Sequence, residues 1–384
     1  MTITFLVGNG FDIAAGLNTS YSGFYEWYRK QPPRTDDKHG AIKAFKEEID
    51  NYMDIKDPEE RKKSHWADFE VGLGKYTAKF TIDTADDFIE LYEDAHEGIV
   101  TYLENERSKF EAPISDPKVL DAFRKGIQNF YGELNPTEIG TFSQLFQNDR
   151  GNNTAIQFVS FNYTDSLDVC VKEVSKQSLS TWQYNGSAHA MSVTPSVIHA
   201  HGMINHYPIL GVFDESQIEN KDLLAHPGFA EVMIKSQGIR AMGEYWYSET
   251  EKSINNSKVV CVWGMSLGET DAYWWKKIIT WLKEVADRHL VIFWHTKNPP
   301  NQISIFRSIR GKRDVVNLLA SFSNLSEDEI NTIKNRIHVV FNTERVLRIS
   351  FSKVAPKALP DSGTLAAMKE IVDEMMTEGQ LTTV

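Results

Sequence analysis

The side chains best suited to chemistry stand where apolar runs stop. Ala155–Phe161 is followed at once by Asn162, Tyr163 and Thr164, and Ser196–Ala200 by His201 and Gly202. An amide in such a place can orient a water or a sugar hydroxyl, and an imidazole can accept a proton near neutral pH. The competing role for Asn162 is to cap a helix starting near Asp165. Strand alternation would set His199 and His201 on one face. No adjacent cysteine or carboxylate completes a ligand set, so no metal is expected and His199 reads as a support or core histidine.

Two glycine turns follow other apolar runs. After Ile3–Val7 comes Gly8-Asn9-Gly10-Phe11-Asp12, then Gly16. Gly8 and Gly10 allow close backbone approach, bare amides at a helix start attract a diphosphate, and Asp12 could cap that helix. The spacing is not Gly-x-Gly-x-x-Gly, so glycines alone leave a nucleotide cradle and a structural turn equally open. After Lys258–Trp263 comes Gly264-Met265-Ser266-Leu267-Gly268, whose amides and Ser266 hydroxyl could hold phosphate or ribose. Asp271 then either enters the site or serves as a cap or first-turn charge. His295 and Thr296, after Leu290–Trp294, either border an adenosine or lie in a surface loop. In "SHWADFEVGL", Trp66 and Phe69 read as core, while Asp68 and Glu70 are either solvated or reach into the site.

The elements that must position these residues are short apolar runs: those above, together with Ile209–Phe213 and Ile337–Phe341. Most lack polar alternation, as strands buried on both faces do. The expected fold is α/β: an open, mainly parallel, Rossmann-like sheet of about six strands, with ligands beyond the carboxyl ends of the strands. Ala41–Tyr52, Thr84–Lys109 and Pro117–Leu134 have helical apolar spacing. We therefore expect an α/β core from residues 1–30 and 151–345, a helical insertion at 31–150, and a C-terminal helix and tail at 346–384, the helix at Thr364–Glu378.

The net charge of −12 argues against a broad nucleic-acid or anionic-membrane surface. Cys170 and Cys261 cannot build a disulfide framework or a cysteine-based zinc site, and a reducing compartment is expected. No stretch has the length of a membrane span and the N-terminus lacks a leader pattern, so the expected location is cytoplasmic.

In order along the chain, these motifs resemble the sirtuin-like NAD-binding fold. Its Gly-Ala-Gly-x-Ser-x-x-x-Gly-Ile-Pro is similar to Gly8 through Asn18, and its Gln-Asn-x-Asp to Phe161-Asn162-Tyr163-Thr164. Its His-Gly resembles His201-Gly202, and its Gly-Thr-Ser-Leu resembles Gly264-Met265-Ser266-Leu267. "VGNGFDIAAGLNTSYSGFYEW", "WADFE", "FNYT", "HAHG" and "GMSLGETD" together more closely resemble the bacteriophage abortive-infection family AbiH. The four-cysteine zinc module of sirtuin deacylases has no counterpart, so protein deacylation is not implied.

What the resemblance implies is a zinc-free antiphage effector that hydrolyses NAD to nicotinamide and ADP-ribose. Asn162 and His201 would be catalytic. Gly8, Asn9, Gly10, Asp12, Thr164, Gly264, Ser266, Leu267, Asp271 and His295 would bind the NAD. A homo-oligomer and a phage-derived trigger are the expected partners. A nucleotide sensor without turnover, and a nuclease or ADP-ribosyltransferase, remain the alternatives.

Overall fold

The computed structural model describes residues 1–347 apart from 33, 35–36, 111–115, 150–152, 183–187, 300–304 and 344. The C-terminal helix expected at Thr364–Glu378 lies outside the described residues. The first apolar run forms β1 (Thr2–Val7), buried from Ile3 onward. It pairs in parallel with β2 (Thr154–Ser160) on one side and with β5 (Val259–Trp263) on the other. Beyond β2 lie β4 (Ala188–His199) and the short edge strand β3 (Leu179–Trp182); beyond β5 lie β6 (His289–Trp294) and β7 (Ile337–Phe341). The sheet order is β3-β4-β2-β1-β5-β6-β7, and β3 alone is antiparallel.

The chain leaves β1 toward β2 and leaves β5 toward β6, in opposite directions. The carboxyl ends of β1 and β5 thus flank a topological switch point, where open α/β sheets form a crevice. All six parallel strands end on that side of the sheet.

Two strand expectations change. Ile209–Phe213 is not a strand of the sheet, and Val212 makes only an isolated bridge to Ile234. Its Leu210 and Val212 are buried among helices, with Phe88, Leu91 and Phe229 in the same cluster, and such burial produces the same unbroken apolar pattern as a central strand. The run expected at Ser196–Ala200 is instead the end of a longer β4 whose register with β2 shifts between Ile156 and Phe158. Pro195 lies opposite that shift and has no N–H for a ladder bond, which confines it to such an irregularity.

Within the stretch expected as one helical insertion, the helices have two packing allegiances. The helices Pro117–Gln128 and Pro136–Asn148 cover one sheet face, where Phe123, Phe142 and Phe146 join Phe5 and Phe158. The segments from Phe24 to Leu103 instead build a separate aromatic core with Leu210 to Ile234, around Tyr25, Phe45, Trp66 and Phe69. That second core sits over the carboxyl ends of the strands and supplies the far wall of the crevice. The opposite sheet face is covered by the helix Ala272–Glu284, through Trp274, Trp275 and Trp281.

Candidate functional site

A cavity of 1220 Å³ occupies the crevice, larger than the roughly 300–1,000 Å³ of an ordinary small-molecule pocket. Its wall includes Gly8, Asn9, Gly10, Asp12, Asn162, Thr164, His201, Gly264, Ser266, Asp271 and His295. Thus all but one of the residues expected to be catalytic or to bind NAD meet around one space. The exception is Leu267, which packs with Trp274 and Trp275 in the core.

The two glycine turns hold each other. Gly8 N donates to Trp263 O at 2.9 Å and Gly10 N to Gly264 O at 2.8 Å, while Phe11 N closes on Gly8 O at 3.0 Å. A Cβ on Gly10 would lie 2.6 Å from the Cα of Gly264, and Gly264 itself has φ of +65°. The glycines are therefore required for backbone-to-backbone contact between the β1 and β5 turns. That contact occupies the amides of Gly8 and Gly10, so they are not the bare donors expected from the sequence. The Asn9 side chain is also engaged: Nδ2 donates to Thr19 O at 2.9 Å, and its Oδ1 accepts from the Thr19 hydroxyl.

Asp12 lies inside the helix Gly10–Ala14, whose N-cap is Asn9, and so is not a cap. Its carboxylate accepts from Thr164 Oγ1 at 2.7 Å and from the Ser166 hydroxyl. Thr164 and Ser166 follow β2, so Asp12 ties the β1 turn to the β2 turn. Burial raises the Asp12 pKa above its ordinary value, against the lowering effect of the Ser166 and Thr164 hydroxyls, the nearby Asn162 amide and the Arg107 cation. Asn162 is not a cap either, since the helix Ser166–Ser175 has Asp165 at that position. The Asn162 backbone is held by Ser160 Oγ, which accepts from its N–H at 3.1 Å, and by His199 Nδ1, 3.2 Å from its carbonyl oxygen. His199 Nε2 faces Asp168 Oδ2 at 2.9 Å. His199 is a support, and its partners are not those of His201.

Asn162, His201 and Asp271 of the cavity wall carry buried polar atoms without partners. Asn162 is 4 % exposed, and both atoms of its amide have no hydrogen bond among the described residues. His201, equally buried, brings Nε2 to 3.4 Å from Asp271 Oδ1, yet neither atom makes a hydrogen bond. Burial, reinforced by the nearby Lys235 cation, pushes the His201 pKa well below the ordinary histidine range, so the ring is neutral at physiological pH. Burial raises the Asp271 pKa, partly offset by Lys235. Buried polar atoms left unpaired cost about 1–3 kcal/mol each, a cost expected where a ligand or water completes the set.

Residues from the aromatic core complete the wall. Asp68 caps the helix Phe69–Tyr76, its Oδ1 accepting from the amides of Glu70 and Val71 at 3.0 and 3.2 Å. Thr270 Oγ1 approaches Asp68 Oδ2 at 3.4 Å. Glu70 is buried and accepts from Lys235 Nζ at 2.7 Å and from Gly211 N at 3.2 Å. Burial pushes Glu70 up to about 7, opposed chiefly by Lys235. Of the two roles open to Asp68 and Glu70, the structure shows the one that reaches the site. Lys235 was not singled out; it follows Met233-Ile234 in a stretch with no motif, and only the fold brings it to Glu70. Among the described residues no group of three or more His, Cys, Asp or Glu is arranged to hold a metal.

The fold and site define an α/β protein with a mostly parallel sheet and a deep ligand-sized cavity at its switch point. The sequence profile of the family described as bacteriophage abortive infection AbiH matches residues 4–294. The chain therefore belongs to the AbiH family, and its role is in abortive infection of bacteriophage. No curated protein and no solved structure gives a significant match. Among the described residues, no helix is long and apolar enough to cross a membrane.

Proposed function

We propose that this AbiH protein hydrolyses NAD at the nicotinamide N-glycosidic bond, releasing nicotinamide and ADP-ribose. The observation that carries the reading is the set of buried, unpartnered polar atoms, those of the Asn162 amide, His201 Nε2 and Asp271 Oδ1, on one cavity at the carboxyl ends of parallel strands. Hydrolysis needs a dry pocket with fixed polar groups around the ribose and one admitted water.

In this reading the bond between ribose C1′ and the ring nitrogen breaks, and its electron pair stays with nicotinamide. Water adds to C1′, and its proton passes to His201 or Asp271 and then to solvent. Asn162, which can both donate and accept, orients the water or a ribose hydroxyl. The neutral state of His201 suits a proton acceptor. Its depressed basicity assigns part of that work to Asp271, which enters the reaction rather than only binding NAD. Ser266 and the adjoining glycine turns line the path of the diphosphate, with His295 toward the adenosine. Because the Gly8 and Gly10 amides are already engaged, Ser266 is the better phosphate donor. In this reading the activity is restrained by self-association or by the helical segments over the cavity, and a phage-derived trigger releases it.

Purified protein incubated with NAD, with and without lysates of phage-infected cells, is followed for free nicotinamide. Release that falls about a hundredfold in His201→Ala and Asn162→Ala is the expected result. Intact NAD under every condition overturns hydrolysis. Thermal stabilisation by NAD without nicotinamide release identifies a nucleotide sensor instead.

A further inference from the structure

Charge is unevenly shared around the cavity. Among the described residues of its wall, carboxyls come from Asp12, Asp68, Glu70 and Asp271, and the ammonium of Lys235 opposes them. Asp12 is satisfied by two hydroxyls, Glu70 by Lys235 and Gly211, and one Asp68 oxygen by two backbone amides. Asp271 Oδ1 has no such partner, and the group facing it is the uncharged imidazole of His201, itself unpartnered at Nε2 and 4 % exposed. Lys235 Nζ is already committed to Glu70.

The surroundings of this corner are aromatic. The Phe161 ring meets the His201 ring edge-on at 5.3 Å, and Tyr163 lies tilted to it at 6.4 Å. Phe161, Tyr163 and Trp263 all belong to the cavity wall. Faces of such rings carry negative quadrupole and attract cations, the more so out of water. A carboxylate oxygen without a hydrogen-bond partner, whose nearby cation Lys235 is already paired with Glu70, fits a flat, positively charged group beside aromatic rings better than an anion or a neutral amide.

We propose that the corner between Asp271, Asp68 and His201 is a subsite for a planar organic cation of the pyridinium class. This rests on the NAD reading only in identifying that cation with the nicotinamide ring. During cleavage the positive charge leaves the ring nitrogen and develops on ribose C1′. The Asp271 carboxylate stays close to the charge throughout, which is electrostatic stabilisation by a group already in place. Departing nicotinamide is neutral, so the attraction disappears with the bond and the product is released.

The test compares wild-type affinities by calorimetry at pH 8 for two ligand pairs: 1-methylnicotinamide cation against nicotinamide, and NAD against NADH. The member of each pair with the cationic ring is expected to bind at least about tenfold more tightly, and Asp271→Asn is expected to erase the difference in both pairs. Asp68→Asn should reduce it in part. Equal affinity within the pairs, or tighter binding of the neutral members, overturns the subsite without requiring any variant to fold. An undiminished preference in a folded Asp271→Asn protein also overturns it. The outcomes separate the two proposals: cation preference without nicotinamide release fails hydrolysis and keeps the subsite, and release without preference does the reverse.

Discussion

Lys235 Nζ lies 2.7 Å from Glu70 Oε2, and both side chains are almost completely shielded from solvent. The pair joins the helix Phe69–Tyr76 to the helix Lys235–Ala241 in the wall of the cavity. Removing the lysine at a pH well above 7 leaves Glu70 either charged and unpaired or forced to take up a proton, which costs up to about 3–5 kcal/mol. Lys235→Met should therefore destabilise the protein by up to that amount in urea unfolding at such a pH. The double variant Glu70→Gln/Lys235→Met should recover most of the loss, because two uncharged side chains need no counter-ion. A double variant as unstable as Lys235→Met alone would show that the lysine acts by packing rather than by charge.

The same pair gives a pH dependence with a definite sign. Burial holds Glu70 near 7, above its ordinary value of 4.5. Between those values the folded protein keeps a proton that the unfolded chain has released, so this group lowers stability as pH rises from 4.5 to 7 and adds no further change above it. The thermal midpoint of the wild type should fall across that window relative to Glu70→Gln. Parallel profiles for the two proteins would refute the assignment.

The glycines of the first turn separate steric need from backbone need. A Cβ at Gly10 would sit 2.6 Å from a Cα of the β5 turn, whereas at Gly16 nothing lies within 4 Å and only the φ of +88° resists a side chain. Gly16→Ala should cost about 1–2 kcal/mol, the ordinary strain of a left-handed residue. Gly10→Ala should cost about 3 kcal/mol or more, because backbone, not a movable side chain, is in the way. In the proposed NAD reading it should also weaken NAD binding, as the two turns part. Calorimetric unfolding and NAD titration of both variants check the order.

What the sequence disclosed here follows from which interactions are local. β1, β2, β5, β6 and β7 were legible because strands buried on both faces write uninterrupted apolar runs. The edge strand Leu179–Trp182 is short and includes Ser180 and Thr181, so it left no such run. Ile209–Phe213 misled because burial among helices has the same signature. At the site, Asn162, His201 and Asp271 stand directly after strands or turns and could be located by that position. The role of Asp12 could not, since Thr164 and Ser166 are 152 and 154 positions away. Lys235 had no local signal at all; its partner Glu70 is 165 residues distant.

The unpartnered Asn162 amide predicts an exchange of stability against function. Both of its polar atoms are buried without hydrogen bonds, and that costs the folded protein free energy unless a ligand supplies the partners. Asn162→Leu keeps the side-chain volume close and removes both polar atoms, so the unliganded protein should become more stable by about 1 kcal/mol. If the proposed NAD hydrolysis holds, stabilisation by NAD should shrink in the same variant, and nicotinamide release should fall by about a hundredfold or more, the usual cost of losing one preorganised polar contact to a reacting group. A variant that is less stable than wild type would mean that the amide is satisfied in the free protein. Unfolding midpoints measured with and without NAD on the two proteins distinguish these outcomes in a single experiment.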